Sequence, residues 1–146
     1  MKITYKKVET INEFIDAIRI RVDVFILEQK CPPGWDPEEL DKVATHYIAI
    51  ADDEIVASVR LREEPKTAIK IENMVVKKAY RGKGVGLGLA KYVLTEAKKR
   101  KPTKIWAETQ SYTQKFYQKA GFITVSDEYD LYDLGIPHVK MEYKED

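Results

Sequence analysis

A short glycine-rich loop near the middle of the chain carries the residue types that bind phosphate. Residues 81–86 read Arg81-Gly82-Lys83-Gly84-Val85-Gly86. Glycines let a backbone approach a ligand closely, and N–H groups at the start of a helix can point at phosphate oxygens. Arg81 and Lys83 would place two cations at the rim of the loop. The loop is therefore predicted to bind a pyrophosphate, provided that a strand precedes it and a helix follows it.

The elements on both sides of the loop meet that condition. A helix is predicted over residues 84–101, because apolar residues recur there at three- and four-residue spacing (Val85, Leu89, Ala90, Val93, Leu94 and Ala97), and Pro102 ends it. The preceding strand ends in Met74, Val75 and Val76. The loop matches neither G-x-x-x-x-G-K-[ST] nor G-x-G-x-x-G. What remains is R-x-x-G-x-G.

The motif Q/R-x-x-G-x-G/A is the coenzyme A signature of the GNAT superfamily of acyl-coenzyme-A N-acyltransferases, which the chain resembles. A second motif, Phe116-Tyr117-Gln118-Lys119-Ala120-Gly121-Phe122, is similar to the F-Y-x-x-x-G-F of that family. The N-terminal half resembles ElaA-like members in the strings Arg21-Val22-Asp23-Val24-Phe25, Glu28-Gln29, Thr45-His46-Tyr47-Ile48-Ala49, Ile71-Glu72 and Gly135-Ile136-Pro137-His138-Val139. The resemblance covers nearly the whole chain and implies acetyl transfer from acetyl-CoA to an amine.

The resemblance also implies a fold and a single N-acetyltransferase domain over residues 1–146. The fold is mixed α+β: a central, mostly antiparallel, twisted sheet of about six to seven strands, flanked by about four helices and splayed at the cofactor-binding strand. The residue pattern predicts strands at residues 2–8, 46–51, 55–62, 68–76, 104–109, 122–126 and 138–143, and helices from residue 11 and at 84–101 and 111–120.

Two local features of these elements are predicted from the residues. The sequence Thr10-x-x-Glu13 reads as a capping box that opens the first helix. We expect the buried face of that helix to consist of Ile11, Phe14, Ile15, Ile18, Val22 and Phe25. In strand 68–76 three successive apolar residues break the alternation, which a bulge near Asn73 would explain.

Residues for binding the cofactor are carried over from the family. The splayed strand would offer backbone groups to pantetheine, and Gln110 stands where many members carry an amide beside the pantetheine arm. The implied contacts to acetyl-CoA are Met74, Val75, Val76, Arg81, Gly82, Lys83, Gly84, Val85, Gly86, Gln110 and Tyr117. Acetyl-CoA is expected as the co-substrate, and no metal ion is expected.

Three side chains are candidates for catalysis. Tyr117 could protonate the leaving thiolate, or be an aromatic core residue of an amphipathic helix. Glu72 could accept the proton of the amine or bind its ammonium group, or be a solvent-facing strand residue, as Lys70 of the same parity suggests. His138 could act as the base, or cap a strand or lie in the core, and His46 has the same alternatives.

Two further features have a functional and a structural reading. Cys31 could carry an acyl-enzyme intermediate, or be a small buried or pocket-lining residue, and direct transfer in a ternary complex is the expected route. The acidic set near Trp35 could attract a cationic amine, or be a solvated segment; its members are Asp36, Glu38, Glu39 and Asp41.

Composition excludes several classes of partner. The net charge of +1 over 146 residues gives no broad footprint for nucleic acid or an anionic membrane. The first residues lack an apolar signal region, and a single cysteine permits no internal disulfide. We therefore expect a cytoplasmic enzyme that acts on a small-molecule primary amine, and the subgroup resemblance suggests a homodimer. The alternatives are a protein or peptide acceptor and a non-catalytic sensor of acyl-CoA.

Overall fold

A sheet of eight strands organises the part of the chain that the structure describes. The structure is a computed structural model and describes residues 1–32, 36–133 and 135–144. The strand order is β1-β2-β3-β4-β5-β8-β6, with β7 paired to β8. The strands are β1 (Ile3–Lys7), β2 (Thr45–Ala51), β3 (Glu54–Glu63), β4 (Ile69–Val76), β5 (Ile105–Gln110), β6 (Phe122–Thr124), β7 (Tyr129–Asp130) and β8 (Pro137–Tyr143). All adjacent pairs are antiparallel except β4 and β5.

Three α-helices and a π-helical segment accompany this sheet in the described residues. They are α1 (Ile11–Arg21), the π-helical segment (Val22–Glu28), α2 (Val85–Lys98) and α3 (Gln114–Lys119). The predicted mixed fold with a mostly antiparallel sheet is confirmed, and the sequence pattern missed the short strand β7 and the π-helical segment. The helix predicted at residues 111–120 begins as a 3-10 turn, Ser111–Thr113, and becomes α-helical at Gln114.

The start of α1 is as predicted, but its buried face is not. Thr10 Oγ1 accepts a hydrogen bond from the backbone N–H of Glu13, and Glu13 Oε1 accepts one from the N–H of Thr10. Ile11 and Ile15, expected inside, are 71% and 41% exposed. The buried residues are instead Ala17, Ile20, Arg21 and Val24. The face turned inward is the one that carries Arg21, because buried carboxylates bind its guanidinium.

Helix α2 packs on the face of the sheet opposite to α1 and forms the main core with the sheet. All six apolar residues predicted for its inner face are buried, from Val85 to Ala97. They pack against residues such as Val59 on β3, Ile71 on β4 and Met141 on β8. This apolar contact fixes the start of α2 next to the end of β4, which is where the glycine loop lies.

Strand β4 parts from β5 halfway along its length, while it stays paired with β3 up to its last residue. It pairs in parallel with β5 only over Ile69, Ile71 and the residue between them. On its other side, Arg60 pairs with Glu72 and Ser58 pairs with Val75, so that two residues of β4 face one residue of β3. Asn73 has a φ of 56°, in the left-handed region. The bulge predicted near Asn73 is confirmed, and beyond it a cleft opens between β4 and β5.

A network of buried charges lies on the face of the sheet that α1 covers. The guanidinium of Arg21 donates to both carboxylate oxygens of Asp36 and to both of Asp41. Arg60, 3% exposed, reaches Asp41 at 3.1 Å, Glu38 at 2.8 Å and Glu72 at 3.0 Å. The network therefore connects residues 36–42 to β3 and β4.

Removing Arg21 is predicted to destabilise the fold strongly. In Arg21→Met, Asp36 and Asp41 lose a shared cation in a buried environment, which costs about 3–5 kcal/mol. Urea unfolding measures this loss. Arg19→Met is the matched control: Arg19 is exposed and pairs only with Asp16 in the described structure, so the loss should stay within about 0.5 kcal/mol. Equal losses in the two variants would contradict the assignment of stability to the buried network.

Candidate active site

Two cavities meet where β4 and β5 diverge. The first, the β4–β5 cleft, has a volume of about 400 Å³ and runs from the end of β4 toward Arg81 and Phe116. The second, the His138 pocket, has a volume of about 170 Å³ and includes Glu72, Glu108 and His138 in its lining. Both cavities are lined by Gln29, Met74, Thr109, Tyr112, Thr113 and Tyr117. They are therefore neighbouring parts of one site.

The glycine loop at the mouth of the cleft has the geometry of a backbone cradle. Gly82 and Gly84 have φ values of 74° and 82°, a conformation that favours glycine. A Cβ added to either glycine would meet no atom within 4 Å, so open space lies where a side chain would project. Gly84 precedes α2, whose first N–H groups have no partner within the helix. These features fit the binding of an anion.

A glycine is needed at position 86 for close packing, and not for an unusual backbone conformation. A Cβ at this position would lie 3.1 Å from Phe116 Cε1 and 3.2 Å from Val76 Cγ2. The first turn of α2 therefore lies directly against α3 and the end of β4. This close approach sets the distance between the loop and the cleft.

Arg81 joins the loop to two other elements. Its Nε donates to the carbonyl oxygen of Val76 at 2.9 Å, and its two terminal nitrogens each donate to one carboxylate oxygen of Glu28 at 2.9 Å. Glu28 ends the π-helical segment. The guanidinium expected at the rim of the loop thus holds the loop, β4 and the π-helical segment together. Lys83 lies 5.7 Å from the ring centre of Tyr80.

Tyr117 lies at the junction of the two cavities. Its side chain is buried, at 6% exposure, between Phe116 and Phe122, whose rings meet it edge-on at 5.1 and 5.4 Å. Burial raises the pKa of the Tyr117 phenol to about 12, although the neighbouring Thr109 hydroxyl opposes the shift. The phenol consequently stays protonated at neutral pH and is available as a donor.

Glu72 lies in the His138 pocket and is held by three cations. Its Oε1 accepts from Arg60 at 3.0 Å and from Arg62 at 2.9 Å, and its Oε2 lies 3.3 Å from Lys70 Nζ. Burial acts to raise the pKa of Glu72, but the hydrogen bond from Arg62 and the charges of Arg60 and Lys70 outweigh it, so the pKa lies below the usual range. The solvent-facing alternative for Glu72 and Lys70 is wrong, since their side chains are only 12% and 10% exposed.

His138 presents one nitrogen to the pocket. Its Nδ1 lies 2.8 Å from the carbonyl oxygen of Ile136, so Nδ1 carries the hydrogen and donates it. In the neutral ring, Nε2 then keeps its lone pair. Within the described residues, no hydrogen bond involves Nε2, and His138 lines the pocket. The tautomer is therefore the one that allows Nε2 to accept a proton.

Comparison with known proteins decides the family. The family model described as an acetyltransferase (GNAT) domain matches residues 4–145. The chain belongs to the GNAT acetyltransferase family. It is 30% identical over 136 residues to protein ElaA of Escherichia coli K12, covering 90% of this chain and 88% of ElaA. This GNAT chain is thus an enzyme of the acyltransferase class, and its resemblance to the ElaA-like members is confirmed.

Solved structures agree with this assignment of the fold. The crystal structure of E. coli ElaA matches with a TM-score of 0.86 at 26% identity, covering 98% of this chain and all of that one. An acyl-CoA N-acyltransferase from Pseudomonas aeruginosa matches with a TM-score of 0.78 at 27% identity, covering 98% and 99%. A Bacillus subtilis acetyltransferase in complex with CoA matches with a TM-score of 0.70 at 21% identity, covering 99% of both chains. The splayed sheet is therefore a GNAT sheet.

Apart from residues 82–86 of the glycine loop, which line neither cavity, the structure brings the predicted site residues of this GNAT domain into one region. Met74, Gln110, Tyr117, Glu72 and His138 line the His138 pocket. The β4–β5 cleft is lined by Met74, Val75, Val76, Arg81 and Tyr117. Val85 is 1% exposed and belongs to the core, so its side chain faces away from any ligand. Only its backbone can contribute to the loop.

Several lining residues were not predicted from the sequence. The amide of Gln110 donates to Gln29 Oε1 at 2.9 Å, and the Gln29 amide donates to the Tyr112 hydroxyl at 3.1 Å, so a short hydrogen-bonded chain links the π-helical segment to the end of β5. Glu108 could have been found, because strict alternation on β5 places it on the same face as Gln110. Gln29 carried no such signal, since the π-helical segment that positions it was not predicted.

The acidic set is largely occupied by internal partners. Asp36 and Asp41 bind Arg21, and Glu38 binds Arg60. Glu39 forms an exposed pair with Lys42. Trp35, predicted to lie beside this set, is outside the described residues. Asp36, Glu38 and Asp41 thus hold the fold together, and none of the four carboxylates lines either cavity.

Cys31 and His46 differ in their relation to the site. Cys31 lines the His138 pocket, where burial and the nearby Asp36 carboxylate raise the pKa of the thiol. A thiol of this kind is a poor nucleophile. The Nε2 of His46 donates to the carbonyl oxygen of Asp41 at 3.0 Å, and burial lowers the pKa of this histidine. His46 lines neither cavity and is a structural residue.

Residues 1–32, 36–133 and 135–144 contain no group of three or more His, Cys, Asp or Glu side chains placed to hold a metal ion. Within the same ranges, every helix is too short or too polar to cross a membrane.

A bulky residue at Gly84 is predicted to impair binding of acetyl-CoA. The side chain of Gly84→Leu would project into the open space of the cradle, and the dissociation constant should rise at least about tenfold, the equivalent of about 1.4 kcal/mol. Isothermal titration calorimetry measures it. Gly135→Leu is the control, since Gly135 has a similar φ of 72° and open surroundings but lies outside the loop. Unchanged affinity in Gly84→Leu would contradict the cradle.

Proposed function

We propose that this protein transfers the acetyl group of acetyl-CoA to a primary amine of a small molecule, by direct transfer in a ternary complex. The position of Tyr117 carries the proposal, because this buried, protonated phenol lines both the cleft suited to the cofactor and the pocket suited to the amine. A proton donor at the boundary between two substrate sites is what acyl transfer from a thioester requires.

The residues present fit coenzyme A. The cradle of Gly82 and Gly84 with the start of α2 would hold the pyrophosphate, and Lys83 would add positive charge. The backbone of β4 from Met74 to Val76 has no strand partner on the β5 side and would hold the pantetheine arm and polarise the carbonyl. Bound acetyl-CoA supplies the activated acetyl thioester.

The side chains at the junction then move two protons. The amine nitrogen forms a bond to the acetyl carbon as the carbon–sulfur bond breaks. His138 Nε2 takes the proton that the amine loses, and the Tyr117 hydroxyl donates its hydrogen to the departing sulfur. Glu72 keeps its charge, because three cations hold its carboxylate and lower its proton affinity, so it does not take the proton of the amine.

The alternatives are less well supported by the same observations. A protein or peptide acceptor needs an open groove, whereas the His138 pocket has about 170 Å³. A sensor that only binds acyl-CoA needs neither a buried phenol nor a free imidazole nitrogen at the junction. An acyl-enzyme on Cys31 requires a thiolate, which burial disfavours. The suggested homodimer stays a prediction, which analytical ultracentrifugation tests.

The decisive experiment combines binding and turnover. Acetyl-CoA is titrated into the protein in a calorimeter, and a panel of primary amines is then added while the released thiol is monitored. Binding followed by amine-dependent thiol release supports the proposal. Binding without release from any amine, but with release from peptides, favours the protein acceptor. Absence of binding would overturn the assignment of the cleft.

Replacing Tyr117 by Phe is predicted to reduce turnover more than binding. Tyr117→Phe keeps the ring and its aromatic contacts but removes the proton donor, so kcat should fall about 100-fold while the Kd of acetyl-CoA stays unchanged. Tyr92→Phe is the matched control, since Tyr92 stacks on Tyr5 away from both cavities. An unchanged kcat in Tyr117→Phe would make Tyr117 a packing residue.

Replacing His138 by Asn is predicted to lower turnover more than cofactor binding. His138→Asn removes the Nε2 lone pair that would accept the proton of the amine, so kcat/KM for the amine should fall about 100-fold while the Kd of acetyl-CoA stays unchanged. Steady-state kinetics and calorimetry measure the two quantities. His46→Asn is the control, because His46 lies outside the pocket. An unchanged kcat/KM in His138→Asn would assign the base elsewhere.

A further inference from the structure

Lys70 occupies the position in the His138 pocket that a bound ammonium ion would otherwise take. Its Nζ lies 3.0 Å from Glu108 Oε1 and 3.3 Å from Glu72 Oε2, and 4.8 Å from the centre of the Trp106 ring. The side chain is 10% exposed and lines the pocket. Two carboxylates and an aromatic face are the groups that recognise an organic cation, and here the cation belongs to the protein.

The strand register explains why these groups meet. Lys70 and Trp106 are partners in the parallel pairing of β4 with β5, so both side chains point to the same face of the sheet. Glu72 and Glu108 follow two residues later on their own strands and share that face. The second oxygen of Glu108 accepts from the hydroxyl of Tyr129. The position of Lys70 is thus set by the sheet.

The negative charge of the His138 pocket is consequently neutralised by cations of the protein itself. Among the described lining residues, the carboxylates are Glu72 and Glu108, and both are paired with Lys70. Arg60 and Arg62 give Glu72 two further cations. A second ammonium group on the acceptor would find no unpaired carboxylate and would lie close to Lys70. Desolvating an unpaired charge is costly.

We infer that Lys70 determines acceptor specificity, so that the pocket accepts amines with a single amino group and rejects diamines. The expected effect on kcat/KM rests on the proposed function, because it requires that the protein acetylates amines. The charge pairing itself does not depend on that function. Lys70 touches no reacting atom and acts by occupying the site at which a second ammonium group would bind.

The test compares α,ω-diamines of increasing chain length with n-alkylamines of the same length. In the wild type, kcat/KM for each diamine should be at least about tenfold below that of its monoamine, the ratio expected from one charge-assisted hydrogen bond. In Lys70→Ala the ratio should invert, because Glu72, Glu108 and Trp106 then receive the second ammonium. Equal ratios in the wild type and Lys70→Ala would overturn the inference.

Three further variants test whether the change in preference comes from the positive charge of Lys70. Lys70→Arg should keep the wild-type preference, and Lys70→Ala combined with Glu108→Gln should lose the gained preference for diamines. Lys104→Met is the matched control, because Lys104 also lies over Trp106, at 5.3 Å, but does not line the pocket. A changed preference in Lys104→Met would assign the effect to Trp106 or to surface charge.

A binding measurement separates failure of this inference from failure of the proposed function. Diamines should raise the thermal midpoint of Lys70→Ala more than monoamines do, and should not do so for the wild type. If no amine supports thiol release but this shift occurs, the charge site stands and the proposed acceptor class is wrong. If transfer occurs but diamines neither stabilise nor are preferred by Lys70→Ala, the role of Lys70 is wrong. If Lys70→Ala fails to fold, the diamine-to-monoamine ratio of kcat/KM in the wild type still tests the inference. The double variant provides the comparison, because the loss of the Lys70 charge is balanced there by the loss of the Glu108 charge.

Discussion

The parting of β4 from β5 after Ile71 is the constraint on which the rest of the site depends. Parallel pairing holds the two strands together only over three residues, and the bulge at Asn73 then turns β4 away. The other features of the site depend on that opening: the cleft, the edge of β4 that β5 leaves unpaired, and the position of Tyr117 on α3, where it lines both cavities. A straight β4 that paired with β5 along its whole length would close the cleft. The glycine loop would then border no cavity that could hold the rest of a ligand bound to it.

The ion pairs of two arginines hold the opening at a fixed width: Arg81 pairs with Glu28 at the surface, whereas Arg60 is buried. Arg81 ties the loop and the end of β4 to Glu28, and Arg60 ties Glu72 to Asp41 and so to the segment after the π-helical turns. Isolated buried ion pairs rarely add much stability, because desolvation offsets their attraction. Their contribution here is positional: each arginine has one defined set of partners, and the distance between cleft and pocket follows from those partners.

The sequence predicted the parts of the fold that follow from local patterns. The period of α2, the capping box at Thr10 and the broken alternation at Asn73 each depend on residues close in the chain, and all were confirmed. The prediction of the buried face of α1 was wrong because it relied on hydrophobicity. The helix instead turns Arg21 inward, toward carboxylates 15 and 20 residues away in the chain. The partners of Lys70 likewise lie on another strand, and no local pattern indicates them.

The burial of Tyr117 opposes, on first inspection, the role of an acid that is proposed for it. A phenol with a pKa of about 12 is a weaker acid than an ordinary thiol, whose pKa is about 8.5, so in water the proton would stay on oxygen. Burial acts on both anions, however, because desolvation raises the proton affinity of a thiolate as it does that of a phenolate. A sulfur leaving beside Tyr117 would be desolvated by the same walls, which brings the two affinities together. The environment that makes the tyrosine a poor acid in isolation therefore makes its partner a stronger base.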